Sequence, residues 1–179
     1  MRYLKGTLDY GLCYTGDHDF RLYGYTDSDW AGSASDRKST SRCCFSLGSA
    51  MTSWKSRKQS NIALRTIEVE YIATCSTSFE SIWLRKLLTG LFDLEMEATM
   101  ILCDNQSCIK MTENLVFHDK TKHIEIWYHY LCDMVQRGAI KLQFVSTNEQ
   151  VADVLTKPLS CVKFEHFRDK LGIVRKGLP

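Results

Sequence analysis

Phe20-Arg21-Leu22-Tyr23-Gly24-Tyr25-Thr26-Asp27 is the stretch from which the fold can be read. Aromatic and apolar side chains crowd it and it stops at an acid, so it reads as a strand ending near Asp27. Arg42 to Trp54 has the same texture, with a turn near Gly48, and is expected as a second strand; residues 60–64 are expected to supply a third. The short separations favour an antiparallel meander. At Thr66 the period changes: Ile67, Tyr71, Thr74, Cys75, Ser78, Ile82 and Leu88 recur at helical spacing as far as Phe92, with Phe79, Trp83, Leu84, Leu87 and Leu91 beside them. Thr99 to Cys103 is a short apolar run, a buried strand by length, ending in Asp104-Asn105. A helix is expected over Gln106–Thr112, a polar loop over 113–122, a helix over His123–Arg137 stopped at Gly138, and a strand over Ala139–Val145. Thr147-Asn-Glu-Gln150 has the form of a capping box opening a helix that ends before Pro158, and Lys163–Lys170 makes a last short helix. Before the first strand, Met1 to Thr7 reads as the final turns of a helix stopped at Gly6. Strands joined through helices tend to be parallel and covered on both faces, so the expected class is α/β, a mixed sheet with helices packed on it.

Bulk properties say less. The 179 residues suit one domain with a short appendage, and a net charge of +2 does not announce a nucleic-acid binder. Basic residues do cluster locally, at Lys55, Arg57, Lys58 and Arg65 and again at Lys120, Lys122 and His123. The 8 cysteines form no C-x-x-C pair, which removes support for a zinc site and leaves buried reduced thiols as the plain reading. No signal peptide opens the chain and no apolar run approaches membrane-spanning length, so the cytosol or nucleus is expected, without membrane contact.

Three acids stand at the ends of apolar elements: Asp27 after the first strand, Asp104 after the Thr99–Cys103 strand, Asp153 in the segment after the last strand. Glu70 lies within the long helix between apolar neighbours. Carboxylates at the C-terminal ends of strands face the crevice where α/β sheets bind ligands. Converging carboxylates repel unless a cation joins them, and oxygen-only sets suit magnesium, manganese or calcium. Each acid also has a plain alternative, Asp104 as a helix cap and Asp153 as a charge at a helix N-terminus. Glu68 and Glu70 project roughly 200° apart around a helix, so only one can face the sheet. Asp27 and Asp29 share a strand face, and alternation alone does not choose between them.

At these residues the chain resembles the ribonuclease H domain at the C-terminal end of copia-type retrotransposon Pol polyproteins. The matching motifs are Gly24-Tyr-Thr-Asp-Ser-Asp-Trp-Ala-Gly32, Asp36-Arg-Lys-Ser-Thr-Ser41, Ser53-Trp54 with Ser56-Arg-Lys-Gln59, Glu68-Val-Glu-Tyr71, Trp83-Leu-Arg85, Cys103-Asp-Asn-Gln-Ser107, Lys122-His-Ile-Glu125 and Ala152-Asp-Val-Leu-Thr-Lys-Pro158. Their order, more than any one of them, is specific. Departures include Leu64-Arg65-Thr66-Ile67 ahead of the glutamate, Arg42 in place of a glycine after Ser41, Trp127 where a basic residue is common, and Phe144 where cellular relatives carry a histidine.

The resemblance implies a ribonuclease H-like fold: a five-stranded mixed sheet, a meander plus two parallel strands, with helices on both faces. It implies Asp27, Glu70, Asp104 and Asp153 as catalytic residues holding two magnesium ions, with manganese as a substitute. The expected reaction is hydrolysis of the RNA strand of an RNA–DNA hybrid during reverse transcription. Arg37, Lys38, Lys55, Arg57 and Lys58 are candidates for phosphates, and Asn105 and Gln106 for sugar or base edges. Residues 1–15 match the tail of the connection after a reverse transcriptase, 16–158 the ribonuclease H-like domain and 159–179 a C-terminal helix and tail. Expected partners are the hybrid and the polymerase part of the parent polyprotein, in the element's virus-like particle or the nucleus. The alternative is a decayed remnant that folds without cleaving.

Overall fold

The structure, a computed structural model, describes residues 5–16, 20–30, 35–60, 65–93, 95–113, 122–155 and 157–177. In chain order the strands are β1 (Tyr10–Leu12), β2 (Leu22–Asp29), β3 (Thr40–Leu47), β4 (Ala50–Lys58), β5 (Thr99–Cys103), β6 (Ile140–Phe144) and β7 (Ile173–Arg175). The helices are α1 (Thr66–Phe92), α2 (Gln106–Glu113), α3 (Lys122–Gln136) and α4 (Cys161–Lys170), with one 3-10 turn, η1 (Val151–Leu155). The main sheet has five strands in the order β4-β3-β2-β5-β6. β2, β3 and β4 form the antiparallel meander, and β5 and β6 add in parallel beside β2. The mixed sheet expected from the resemblance is present.

Alternation along β3 sorts the core into two layers. Cys43 and Phe45, with Leu22, face Leu84 and Leu88 of α1. Cys44, between them, faces the other way, where Met51, Val151, Ala152, Phe167 and Leu171 close over it from β4, η1 and the α4 end. Further along the α1 side, Ile101 and Ile140 meet Tyr71, Cys75, Cys108, Tyr128 and Leu131. The sheet-facing side of α1 carries small residues, Ala73, Thr77 and Ser81, all buried. They let the helix approach closely enough for Thr77 Oγ1 to donate to Thr26 Oγ1 at 2.9 Å. Gly24 serves the same closeness: a Cβ there would sit 2.8 Å from Phe45 Cε1. Of the cysteines, Cys43, Cys44, Cys75, Cys103, Cys108 and Cys132 are buried free thiols, and Cys13 and Cys161 are exposed free thiols.

Several expectations need correction. The run from Arg42 to Trp54 is not one strand: it folds back at Gly48, whose φ of 62° is a left-handed conformation that glycine adopts at least cost. The third strand of the meander is therefore Ala50–Lys58, and residues 61–64 lie outside the described set. Thr147–Gln150 opens the short 3-10 turn η1, not an α-helix, because its side chains are engaged elsewhere. Thr147 Oγ1 donates to Asp104 Oδ2 at 3.1 Å, Gln150 reaches Thr26, and Glu149 pairs with Lys170. The last helix starts earlier, at Cys161, where the Ser160 hydroxyl caps Lys163 N. The helix read over residues 1–7 falls mostly on residues 1–4, outside the described set, as do 114–121 of the expected loop. A second, two-stranded sheet had no sequence signal: β1 pairs antiparallel with β7, Tyr10 opposite Arg175.

That second sheet hangs on Gly172, at the α4–β7 corner. Its φ is +74°, and a Cβ would meet Ala50 Cβ at 2.5 Å. Gly172→Ala combines strain with a clash and is expected to destabilise the fold by more than about 1 kcal/mol. Denaturant melts followed by circular dichroism check this; an unchanged midpoint would show that the corner can relax.

Candidate active site

Parallel pairing sets two of the acids side by side. Thr26 lies opposite Cys103 across β2 and β5, so Asp27 and Asp104 follow at the same end of the sheet. Glu70 comes from the first turns of α1. Buried Gln59 fastens that end of the helix, donating to Ser41 Oγ at 2.7 Å and Val69 O at 3.1 Å. Asp153 arrives from the opposite layer on η1, which is held by Gln150 Nε2 donating to Thr26 O at 2.8 Å. Asp153, Asp104 and Glu70 thus each come within electrostatic reach of Asp27 around the ends of β2 and β5, while the group at metal-ligand distance among the described residues is Glu70, Cys103 and Asp104, without Asp27 or Asp153. Asp27 and Asp153 are both 2% exposed. The ambiguity between Glu68 and Glu70 resolves by contact: Glu70 is the one surrounded by Ser28, Cys103, Asp27 and Asp104. Asp29 stands further out, 43% exposed.

Cations already neutralise part of this cluster. Lys157 Nζ lies 2.7 Å from Asp153 Oδ1 and 3.3 Å from Asp27 Oδ1. Lys163 Nζ is 3.7 Å from Asp153 Oδ2. On the other side, Arg42 Nη1 is 3.5 Å from Asp27 Oδ2 and its Nη2 is 3.5 Å from Asp29 Oδ2. Arg42 stands directly opposite Asp27 across β2 and β3, which places its guanidinium on the same sheet face. None of the Arg42 contacts to Asp27 is a good hydrogen bond: Asp27 Oδ2 and Arg42 Nε and Nη1 are buried without a hydrogen-bond partner. Burial pushes the Asp27 carboxyl up to about 6, with Lys157 pulling down and Asp153 and Asp104 pushing up. Burial pushes Glu70 up to about 8, opposed by a hydrogen bond from Ser28 and reinforced by Cys103, Asp27 and Asp104.

The residues fit a divalent cation. Glu70 Oε2 is buried without a hydrogen-bond partner, a costly state that a bound ion relieves, and Asp27 Oδ2 makes no hydrogen bond although Arg42 Nη1 is 3.5 Å away. Donor atoms of Glu70, Cys103 and Asp104 lie within 4.8 Å of one another. Carboxylate oxygens suit magnesium or manganese; the Cys103 sulfur is softer than either prefers.

The other sequence-derived candidates are more scattered. Arg37, at a positive φ of 55°, and Lys38 sit in the β2–β3 connection. Lys55, Arg57 and Lys58 are exposed on β4, with Lys55 paired to Glu80 and Lys58 to Asp36, each at 2.8 Å. Asn105 caps α2, its Oδ1 accepting from Cys108 N at 3.0 Å, so the cap is Asn105 and not Asp104. Gln106 is exposed at the start of the same helix. Lys157 and Arg42 had drawn no role at the site from the sequence, and Gln150 had been read only as part of a helix cap. For Lys157 the signal was available, since it follows Asp153 by four residues. For Arg42 it was not, because the contact depends on strand register.

No family model matches the chain. It is 39% identical over 175 residues, 98% of its length, to the retrovirus-related Pol polyprotein from transposon RE2 of Arabidopsis thaliana. It is 40% identical over 173 residues, 97% of its length, to the corresponding polyprotein from transposon TNT 1-94 of Nicotiana tabacum. The chain spans only 12% and 13% of those two relatives. Among solved structures, the N-terminal RNase H domain of a Mycobacterium tuberculosis protein superposes with a TM-score of 0.55 at 10% identity, covering 83% of this chain and 96% of that one. LC11-RNase H1, solved in complex with an RNA/DNA hybrid, gives 0.52 at 8% identity, covering 73% of this chain and 88% of that one. At such identities the structures speak for the fold, and the near-full-length sequence matches speak for descent: the chain is a homologue of one segment of the retrovirus-related Pol polyproteins, built on the ribonuclease H fold.

Proposed function

We propose that this domain is a divalent-metal-dependent endonuclease that hydrolyses the RNA strand of RNA–DNA hybrids. The observation that carries the reading is the approach of Asp153, Asp104 and Glu70 to Asp27, with Asp27 Oδ2 and Glu70 Oε2 buried and making no hydrogen bond. The hybrid bound by LC11-RNase H1 supports the substrate class. The four acids would hold magnesium or manganese, which supplies charge stabilisation at a phosphoryl oxygen and the means to ionise water near neutral pH. The residues themselves orient and exclude: Asp27 and Asp153, almost wholly buried, present their oxygens from a dry floor. Burial holds the Glu70 carboxyl up at about 8 in the metal-free site, and a bound divalent cation would hold it ionised. The products would be a 5′-phosphate and a 3′-hydroxyl. Asn105 and Gln106, beside Asp104, would meet 2′-hydroxyls or base edges in the shallow minor groove, and Arg37, Lys38 and the β4 cations would meet phosphates.

The test is cleavage of a labelled RNA–DNA hybrid in magnesium, beside single- and double-stranded RNA. Cleavage of the hybrid alone is the expected result; no cleavage in magnesium or manganese by folded protein favours the second reading, a domain that folds without cleaving. Arg42 is the observation on that side, a buried guanidinium 3.5 Å from Asp27 Oδ2 that already supplies positive charge to this carboxylate.

The β4 strip gives a separate check. Lys55→Ala with Lys58→Ala is expected to flatten the slope of log affinity for a hybrid against log salt by somewhat under one unit per lost phosphate contact. Both lysines start from exposed ion pairs worth little, so nucleic acid can take them over. An unchanged slope would move the binding face elsewhere.

A further inference from the structure

Asp27 on β2 and Asp153 on η1, which covers the sheet face that Asp27 points to, are joined by one side chain. Lys157 Nζ sits 3.3 Å from Asp27 Oδ1 and 2.7 Å from Asp153 Oδ1. A divalent cation shared by this pair would need the same two oxygens. The remaining oxygens face other cations, Asp27 Oδ2 towards Arg42 and Asp153 Oδ2 towards Lys163. We propose that Lys157 is the internal counter-ion of the metal-free site: its ammonium holds the Asp27 and Asp153 carboxylates together, and has to withdraw when a divalent cation takes their Oδ1 atoms. This rests on the proposed reading that these acids hold metal.

The surroundings single out Lys157 as the cation able to move. Arg42 is 7% exposed and packed between strands, and the two carboxylates are 2% exposed. Lys157 is 38% exposed, on a flexible four-carbon stem at the rim. Its backbone is anchored, Lys157 N donating to Asp153 O at 3.0 Å, so the ammonium can leave while the chain stays. An ammonium and a divalent ion cannot occupy the same pair of oxygens, because the two cations would repel across a dry site. Metal uptake at this pair is then an exchange. Lys157 keeps the empty acids assembled, and it weakens apparent metal affinity by the strength of its own hold on them. Lys157 is a positioning residue, since it acts through the carboxylates.

Calorimetric titration with manganese at constant potassium, on the parent chain, Lys157→Met, Lys157→Gln and Lys157→Arg, tests this. The two uncharged variants are expected to bind manganese roughly tenfold more tightly than the parent, with the arginine variant near parental. Their metal-free melting temperatures should fall below the parent's, and the gap should close at saturating manganese. A merely structural lysine would instead lower stability and metal affinity together. The glutamine variant, uncharged but still polar, keeps the test open if the methionine variant fails to fold. Parental or weaker manganese affinity in the uncharged variants would overturn the counter-ion role alone. No manganese binding by any of them, the parent included, would overturn it together with the metal-dependent reading.

Discussion

Asp27→Asn is expected to lower magnesium-dependent hybrid cleavage by more than about a hundredfold, since even groups one step behind a metal ligand commonly cost ten- to a hundredfold. Asp29→Asn, two residues along the same strand face and 43% exposed, is expected to cost far less. Asp27→Asn should also raise the metal-free melting temperature near neutral pH: burial and the neighbouring acids hold the Asp27 carboxyl up at about 6, so its ionised form is the costly one in the fold. The lost contacts to Lys157 and Arg42 oppose that gain and limit it. Cleavage rates and chelator-treated melts on both variants check the two halves. Equal loss of activity in Asp27→Asn and Asp29→Asn, with both folded, would move the site within Tyr25–Asp29. A metal-free Asp27→Asn less stable than the parent would show that the lost cation contacts outweigh burial and repulsion.

The metal-free protein is expected to lose stability as pH rises from about 4.5 to about 8, the span between the ordinary Glu70 value and its value in the fold. The folded state holds a proton on Glu70 that the unfolded state releases, so this contribution is complete below the lower value and gone above the upper one. Asp27 acts in the same sense over a lower window, from 3.8 to about 6. Each unit is worth about 1.4 kcal/mol, so even a discounted Glu70 shift amounts to about 3 kcal/mol across the window. Glu70→Gln, permanently uncharged, should be flat between pH 6 and 8, more stable than the parent at pH 8 without metal, and deficient in cleavage. Saturating magnesium should flatten the parent's profile, because it favours the ionised carboxylate. Thermal melts at pH 5, 6.5 and 8, with and without chelator, decide it; a flat metal-free parent between pH 6 and 8 would mean that Glu70 is ionised throughout.

What could be read from residues alone was whatever is local or periodic. The period change at Thr66, the apolar run to Cys103 and the stop at Gly138 each place an element within a few residues. Asp104 was legible for the same reason, as the residue after a strand, whereas Asp27, read as a strand's end, lies two residues inside β2, which runs on to Asp29. Errors came where side chains had been recruited over long range. Thr147 and Gln150 have the spacing of a cap, yet they bind Asp104 and Thr26, which no local pattern reveals. Splitting Arg42–Trp54 required giving Gly48 the weight of a hairpin turn, against an otherwise continuous apolar texture. The position of Arg42 against Asp27 is a matter of register, set by the turn between strands and not by either residue. The pairing of β1 with β7 lies furthest from reach, joining three-residue strands from opposite ends of the chain.

That last pairing gives the domain the form of a closed ring of chain. With Tyr10 opposite Arg175, the polypeptide enters and leaves through adjacent strands at one corner. A unit whose entrance and exit coincide can sit within a longer polypeptide as a side loop, adding almost nothing to the distance its neighbours must span. The same geometry makes the domain a natural subject for circular permutation: a short linker across that corner, with new ends cut at the exposed Gly48–Ser49 turn, would leave every acid on its own element.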